Sequence, residues 1–552
     1  MRRTHHCTLA LLMLACVAAP AVSGVESYGG FLAEAYPADA PGAAAIVVRG
    51  GDVLYRGAVG MAELELGVSL SADHVFRLGS ITKQFTAAAI LLLEERGQLS
   101  VADEITEYLP EYPTHGHAIT IEHLLTHTSG IFNYTDIPGY MVEKIRADLT
   151  TDELIDVFDQ RAMNFPPGQR WSYSNSGYVL LGAIIERVSG QSYAEFVQRN
   201  IFDSLGMSNS HHGGDQIIPG RAEGYSGTGG EFTNSPFLSM SQPHAAGSLL
   251  STVDDLARWN AGLFGDELLS PESVARMTTD YVLANGEPAG YGYGFGVSTF
   301  RGQRAIAHGG GIPGFSTYAT WLPESGVFVA VLSNHPESTI GPGYVAQQMA
   351  AEAIGDPFPQ RTPISLDAET LADYVGIYRI DGETTRTVIL EGGQLYTQRS
   401  GSSRHEIFPH AEDAFFYQQT LTHLTFERAA DGTVSAMLLY ADGGDEPEAA
   451  ERVEGSVVES RVAAEVSAEL YDLWAGTYQL RPGFELVITR DGDQLFSQAT
   501  GQPPFELHPS STVRFFVKEF EAELEFIAGD DGRGREVVLY QGGQELHAER
   551  VD

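Results

Sequence analysis

A chain of 552 residues exceeds what one hydrophobic core supports and implies roughly two to four domains. Its 43% hydrophobic and 10% aromatic content excludes a disordered polymer. The formal net charge of −40, spread along the chain, lacks the basic footprint that nucleic acid or an anionic lipid surface demands.

The first element reads as a leader. Arg2 and Arg3 precede an apolar run from Thr8 to Ala19, and Ala21-Val22-Ser23 offers small residues for cleavage before Gly24. Residues 1–23 are thus expected to be a signal peptide that sends the product to the periplasm or outside the cell. An alternative makes Cys16 a lipidated anchor. Both cysteines, Cys7 and Cys16, fall in this segment, so a soluble mature product would have no disulfide, thiol nucleophile or cysteine metal site. No later stretch has the length of a transmembrane helix.

Gly42 to Ala58 reads strand, turn, strand around Arg49-Gly50-Gly51-Asp52, and Ser80 to Arg96 reads as an apolar helix closed by Gly97. Helix and loop signals alternate from Ile121 to about Phe264. Strand signals return at Ile306, from Phe315 to Trp321 and from Val327 to Ser333. Strands at both ends of a helical middle predict an α+β domain over 24–360 whose first and last strands share one sheet. A helix, Val345 to Ile354, leads into a proline-containing linker, Gly355 to Leu366.

Beyond the linker the chain repeats itself. Tyr374-Val375-Gly376-Ile377-Tyr378 matches Trp474-Ala475-Gly476-Thr477-Tyr478, Phe415-Phe416 matches Phe515-Phe516, and Asp431-Gly432 matches Asp531-Gly532, at a constant offset of 100 residues. Short strand signals broken by Gly and Asp turns predict two small antiparallel β-barrels, over 367–455 and 466–552. They would serve packing and stability, or shape the active site.

The chemistry centres on three segments. The chain has three lysines, Lys83, Lys144 and Lys518, and one stands at Ser80-Ile81-Thr82-Lys83. Residues three apart share a helix face, so the Lys83 amine can reach the Ser80 hydroxyl. A buried lysine can act as a base, whereas an arginine stays protonated. Next comes Tyr173-Ser174-Asn175: a phenol beside a lysine can exist partly as phenolate and shuttle protons, and an amide can pair with a substrate amide. Last is His308-Gly309-Gly310-Gly311, a glycine-rich entry to the strand from Phe315, whose backbone N–H could join that of Ser80 in an oxyanion hole. Each segment alone is also compatible with an ordinary surface lysine, a buried tyrosine or a hairpin turn.

Together these three segments resemble the penicillin-recognising serine hydrolases, which include class C β-lactamases, D,D-carboxypeptidases, D-aminopeptidases and related esterases. The resemblance spans about residues 28 to 350, helped by Ile119 to Gly130 and Ala246 to Thr252. It implies Ser80 as nucleophile, Lys83 as base and Tyr173 as proton shuttle. It also implies the Ser80 and Gly311 N–H groups as oxyanion donors, with Asn175, His308, Gly309 and Gly310 completing the substrate site. His127 would belong to a structural turn, and neither metal nor organic cofactor is implied. The pair His211-His212 has no further nearby ligand to suggest a metal site. Many β-lactamases of the family carry Lys-Thr-Gly where His308-Gly309-Gly310 stands here; a histidine is mostly neutral near pH 7. The resemblance therefore implies a peptidase or amidase acting on D-residue peptides. An esterase is the alternative, and a β-lactamase or a non-catalytic scaffold are lesser ones.

Overall fold

The computed structural model describes residues 24–552 except 383, 445, 454–465, 482–483, 501, 503, 518–521, 530–531 and 542–543. The leader with Cys7 and Cys16, together with Lys518 and Asp531, lies outside the described residues. Among the described residues, no helix is long and apolar enough to cross a membrane.

The catalytic region is built on six strands: β1 (Ala43–Arg49), β2 (Asp52–Val59), β3 (Gly296–Phe300), β4 (Gln303–Ile312), β5 (Phe315–Leu322) and β6 (Val327–Ser333). They form one antiparallel sheet in the order β3-β4-β5-β6-β1-β2, with β1 against β6 from Ala43–Ser333 to Arg49–Val327. The first and last strands share a sheet, as their apolar runs imply. Gly50 and Gly51 both take positive φ, which matches the twist of a tight hairpin between β1 and β2.

Five helices matter below: α1 (Gly24–Ala35), α2 (Thr82–Glu95), α3 (Asn175–Ser189), α4 (His244–Gly247) and α5 (Pro342–Ile354). Ala43, Ala45, Val47, Val329 and Val331 pack into one core with α1 and α5. Ala44, Ile46, Ala330 and Leu332 pack into the other, with the helical region. Both faces of the sheet are covered, so its central strands read as unbroken apolar runs instead of alternating ones. Helix α2 lies at the centre of the second core, and every residue from Thr82 to Leu93 is buried. A charged side chain placed on that helix must give up its water.

The C-terminal region forms two closed eight-stranded antiparallel barrels, over Gly376–Asp381 to Glu448–Val453 and over Gly476–Arg481 to Gln544–Arg550. The sequence repeat is a structural repeat down to single bonds. The Tyr378 hydroxyl donates to the Tyr374 carbonyl at 2.7 Å, and the Tyr478 hydroxyl to the Trp474 carbonyl at 2.8 Å. Phe415 meets Phe426 edge-on at 5.5 Å, and Phe515 meets Phe526 edge-on at 5.4 Å. These rings, with Leu395 and Leu495, fill the barrel interiors. The first barrel docks through the linker: Phe358 packs with Ala351 of α5 and Leu421 of the barrel, and the Ile364 N–H donates to the Pro409 carbonyl at 2.8 Å. That contact lies on the α5 side of the sheet, opposite the helical region.

Candidate active site

The polypeptide enters α2 through a single 3-10 turn, Gly79–Ile81, in which residues three apart eclipse. Ser80 is partly exposed while Lys83 is completely buried. Lys83 Nζ lies 3.2 Å from Ser80 Oγ, 2.8 Å from Asn175 Oδ1 and 2.8 Å from the Ala246 carbonyl of α4. All three partners are uncharged. Burial pushes the amine well below the usual lysine range. A neutral amine has two N–H groups and one lone pair. Asn175 and Ala246 can only accept from it, which uses both N–H groups and leaves the lone pair for the Ser80 hydroxyl.

Tyr173-Ser174-Asn175 owes its geometry to a helix cap. The Ser174 hydroxyl accepts the Gly177 N–H at 3.3 Å and so starts α3, which makes Asn175 its first residue. The Asn175 N–H donates to Asn133 Oδ1 at 3.0 Å, and its side-chain amide donates to Thr135 Oγ1 at 3.3 Å. Lys83 thus takes the Asn175 amide oxygen and Thr135 one of its two side-chain N–H groups. Asn133, which the sequence reading passed over, anchors Asn175.

His127 brackets the tyrosine from both sides. Its carbonyl accepts the Ser172 N–H at 2.9 Å and its Nδ1 accepts the Ser174 N–H at 3.1 Å. The ring lies 4.3 Å from that of Tyr173. Its backbone takes a φ of 59°, consistent with a structural turn. Burial, then the proximity of Lys83 and His308, holds this imidazole well below the ordinary histidine range. The Tyr173 hydroxyl is buried and makes no hydrogen bond among the described residues. Burial raises its pKa, and nearby Ser80 holds the rise back. Tyr173 is therefore a phenol at neutral pH, where the sequence had suggested a partial phenolate; desolvation of the anion outweighs the help of a lysine that is itself uncharged.

The glycine segment departs from the sequence reading in one respect. His308 to Gly311 lie inside the ten-residue strand β4, paired with β5 from Ile306–Trp321 to Ile312–Phe315, and not in the turn between them. The glycines let this strand pass against the nucleophile turn. A Cβ on Gly310 would sit 2.0 Å from the Leu78 carbonyl oxygen, and one on Gly79, whose φ is 54°, would sit 2.9 Å from the Gly311 nitrogen. A Cβ on Gly311 would meet open space. The Thr317 hydroxyl donates to the Leu78 carbonyl at 2.8 Å and ties β5 to the same turn. The turn that carries Ser80 therefore stands against Gly311 through Gly79, with open space at Gly311.

His308 is partly exposed, with Nδ1 2.5 Å from the Gly309 carbonyl and Nε2 2.8 Å from the Tyr291 hydroxyl. Burial, then Lys83, lowers its pKa to about 4, which makes the imidazole neutral at pH 7. Trp171 and Tyr291, which the sequence reading passed over, complete an aromatic wall with Tyr173 and His127. The signal for Tyr291 was faint, an aromatic between Gly290 and Gly292 ahead of a strand, and Trp171 carried none. His211 and His212 lie apart from the cleft, paired with Leu250 and Leu249, and no metal-holding group of three acidic, His or Cys side chains occurs among the described residues.

Comparison with known proteins identifies the family. The β-lactamase family matches residues 32–351, and a domain of unknown function (DUF3471) matches twice, at 360–452 and 460–550. Penicillin-binding protein 4* of Bacillus subtilis (strain 168) is 30% identical over 425 residues, 73% of this chain and 93% of that protein. A D-aminopeptidase of Gluconobacter oxydans (strain 621H) is 28% identical over 332 residues, 58% of this chain and 61% of that protein. Among solved structures, the octameric penicillin-binding protein homologue from Pyrococcus abyssi gives a TM-score of 0.56 at 27% identity, over 77% of this chain and 99% of that one. The chain belongs to the β-lactamase family, and within it is a serine hydrolase.

Proposed function

We propose that this hydrolase cleaves amide bonds of D-amino-acid-containing peptides through an acyl-enzyme on Ser80. The observation that carries the reading is the saturation of Lys83. With both N–H groups given to Asn175 and Ala246, its lone pair is available to the Ser80 hydroxyl at 3.2 Å. Ser80 Oγ attacks the carbonyl carbon as its proton passes to Nζ. The negative oxygen faces the Ser80 and Gly311 amides, set beside each other by the missing Cβ atoms of Gly79 and Gly310. As the C–N bond breaks, the Tyr173 phenol gives its proton to the leaving nitrogen and recovers one from the Lys83 ammonium, whose Nζ lies 4.7 Å from its ring centre. Water then attacks the Ser80 ester by the reverse sequence of transfers.

Charge supports the substrate class. Lys83 and His127 are held well below their ordinary ranges and His308 near 4. The cleft therefore offers no fixed cation from these groups to a β-lactam carboxylate. Similarity to a D-aminopeptidase points the same way. An ester is the second reading: its leaving oxygen needs less help from Tyr173, and an uncharged cleft admits it equally. The leader expected over residues 1–23 would place the activity outside the cytoplasm.

The test is a panel of D- and L-amino-acid p-nitroanilides, short p-nitrophenyl esters and a chromogenic cephalosporin. The D-anilides should be turned over at least tenfold faster than the L-anilides and the cephalosporin, and Ser80→Ala should silence every activity. Preference for the L series, or turnover by the Ser80→Ala variant, would overturn the proposal.

A further inference from the structure

Tyr291 lies in the loop ahead of β3, and its position is fixed by its neighbours. Its carbonyl accepts the Tyr281 N–H at 2.9 Å, and its own N–H donates to Asp280 Oδ1 at 3.2 Å. The ring is buried, 4.8 Å from that of His127 and 6.0 Å from that of Trp171. From there the hydroxyl reaches His308 Nε2 at 2.8 Å, while His308 Nδ1 lies 2.5 Å from the Gly309 carbonyl oxygen.

These two contacts decide the tautomer. A carbonyl oxygen only accepts, so Nδ1 carries the proton. Nε2 of the neutral ring then presents a lone pair, and the Tyr291 hydroxyl must donate to it. Both nitrogens are used within the protein. His308 consequently has no free N–H to offer a substrate and meets the cleft with its carbon edge.

We propose that Tyr291 is a positioning residue that locks His308 in the Nδ1–H tautomer, holding the imidazole beside Tyr173 and steadying the Gly309–Gly311 stretch of β4 against the Ser80 turn. The Tyr173 and His308 ring centres are 6.3 Å apart, so a rotated or protonated imidazole changes what the catalytic phenol faces. A hydrogen bond donated to the neutral ring favours that form. Burial, and after it Lys83, act in the same direction and bring the pKa to about 4. Without the Tyr291 hydroxyl, Nε2 is open to water or a proton. The ring then exchanges tautomers and titrates higher.

The inference rests on the hydrolase reading above, and its test has a readout independent of turnover. In the full chain carrying Ser80→Ala, nitrogen NMR of 15N-histidine, assigned through His308→Asn, reads the tautomer directly. One protonated Nδ1 and one unprotonated Nε2, unchanged from pH 7 down to pH 5, are expected. Tyr291→Phe keeps the ring and should raise the titration midpoint by about one unit. In the active enzyme the same change should lower kcat about 10- to 100-fold with little effect on KM, and this loss should vanish in a His308→Asn background. An Nε2–H tautomer in the Ser80→Ala protein would overturn the inference. So would an unshifted midpoint in Tyr291→Phe, or an equal loss of kcat with and without His308. Turnover by Ser80→Ala would instead overturn the hydrolase reading and leave the NMR result standing.

Discussion

Replacing Asn175 with aspartate puts a carboxylate where a neutral oxygen now accepts from Lys83 at 2.8 Å. At that separation, with an effective dielectric constant near 20, the attraction is about 6 kcal/mol, or about 4 pKa units. The new carboxylate must itself be desolvated, which takes back part of the gain, so a net rise of about 2–3 units is expected for the amine. The sign follows from its role. Lys83 works as a base when neutral, and a nearby anion favours its charged form, so activity should require a higher pH. The rising limb of kcat/KM should move up by about 2–3 units. On that limb the rate should fall about 100- to 1000-fold and recover as the pH is raised. Asn175→Ala removes the acceptor without adding charge, and its loss should not be recovered at high pH. The assay is a kcat/KM profile from pH 5 to 10 on the best substrate of the panel. A loss of the same factor at every pH in Asn175→Asp, or a limb that moves downward, would refute the reasoning.

Tyr173→Phe should leave thermal stability within about 1 kcal/mol, because its buried hydroxyl makes no hydrogen bond within normal geometry among the described residues, while kcat falls about 100- to 10,000-fold; paired melting and turnover curves check both halves. Gly310→Ala should reduce activity more than 100-fold, since its Cβ would sit 2.0 Å from the Leu78 oxygen and force β4 away from Ser80. Gly311→Ala, facing open space, should fold as wild type and change substrate preference more than stability, as circular dichroism and the substrate panel would report. Phe358→Ala should destabilise the junction between α5 and the first barrel by about 3 kcal/mol in calorimetry yet leave kcat/KM unchanged. A parallel loss of activity would give that barrel a part in catalysis.

What the sequence made legible follows from how local the physics is. The Ser80–Lys83 pair and the β1–β2 hairpin each depend on neighbours within a few residues, and short-range rules recover them. The barrels were legible for another reason: repetition at a fixed offset marks two units that each bury their own core, and the shared Tyr378 and Tyr478 bonds bear this out. The partners of the site groups were not legible. Ala246 holds the Lys83 amine with a backbone carbonyl, which any residue type would supply. Asn133 reaches Asn175 from 42 residues away, and Tyr291 reaches His308 across a hairpin. Such contacts are set by the packing of the helical region on the sheet. The phenolate expectation for Tyr173 failed for a related reason: charge proximity can be guessed from a motif, whereas the depth of burial that opposes it is a property of the whole fold.

Three lysines in the chain make the decisive titration accessible. Lysine labelled with 13C at Cε would give three signals, assigned by replacing Lys144, which is exposed, and Lys518 in turn with arginine. The account predicts that the Lys83 signal titrates well below 10.5 and that Asn175→Asp drives it upward. If the Lys83 signal titrates near 10.5, the amine is charged at working pH and cannot be the base.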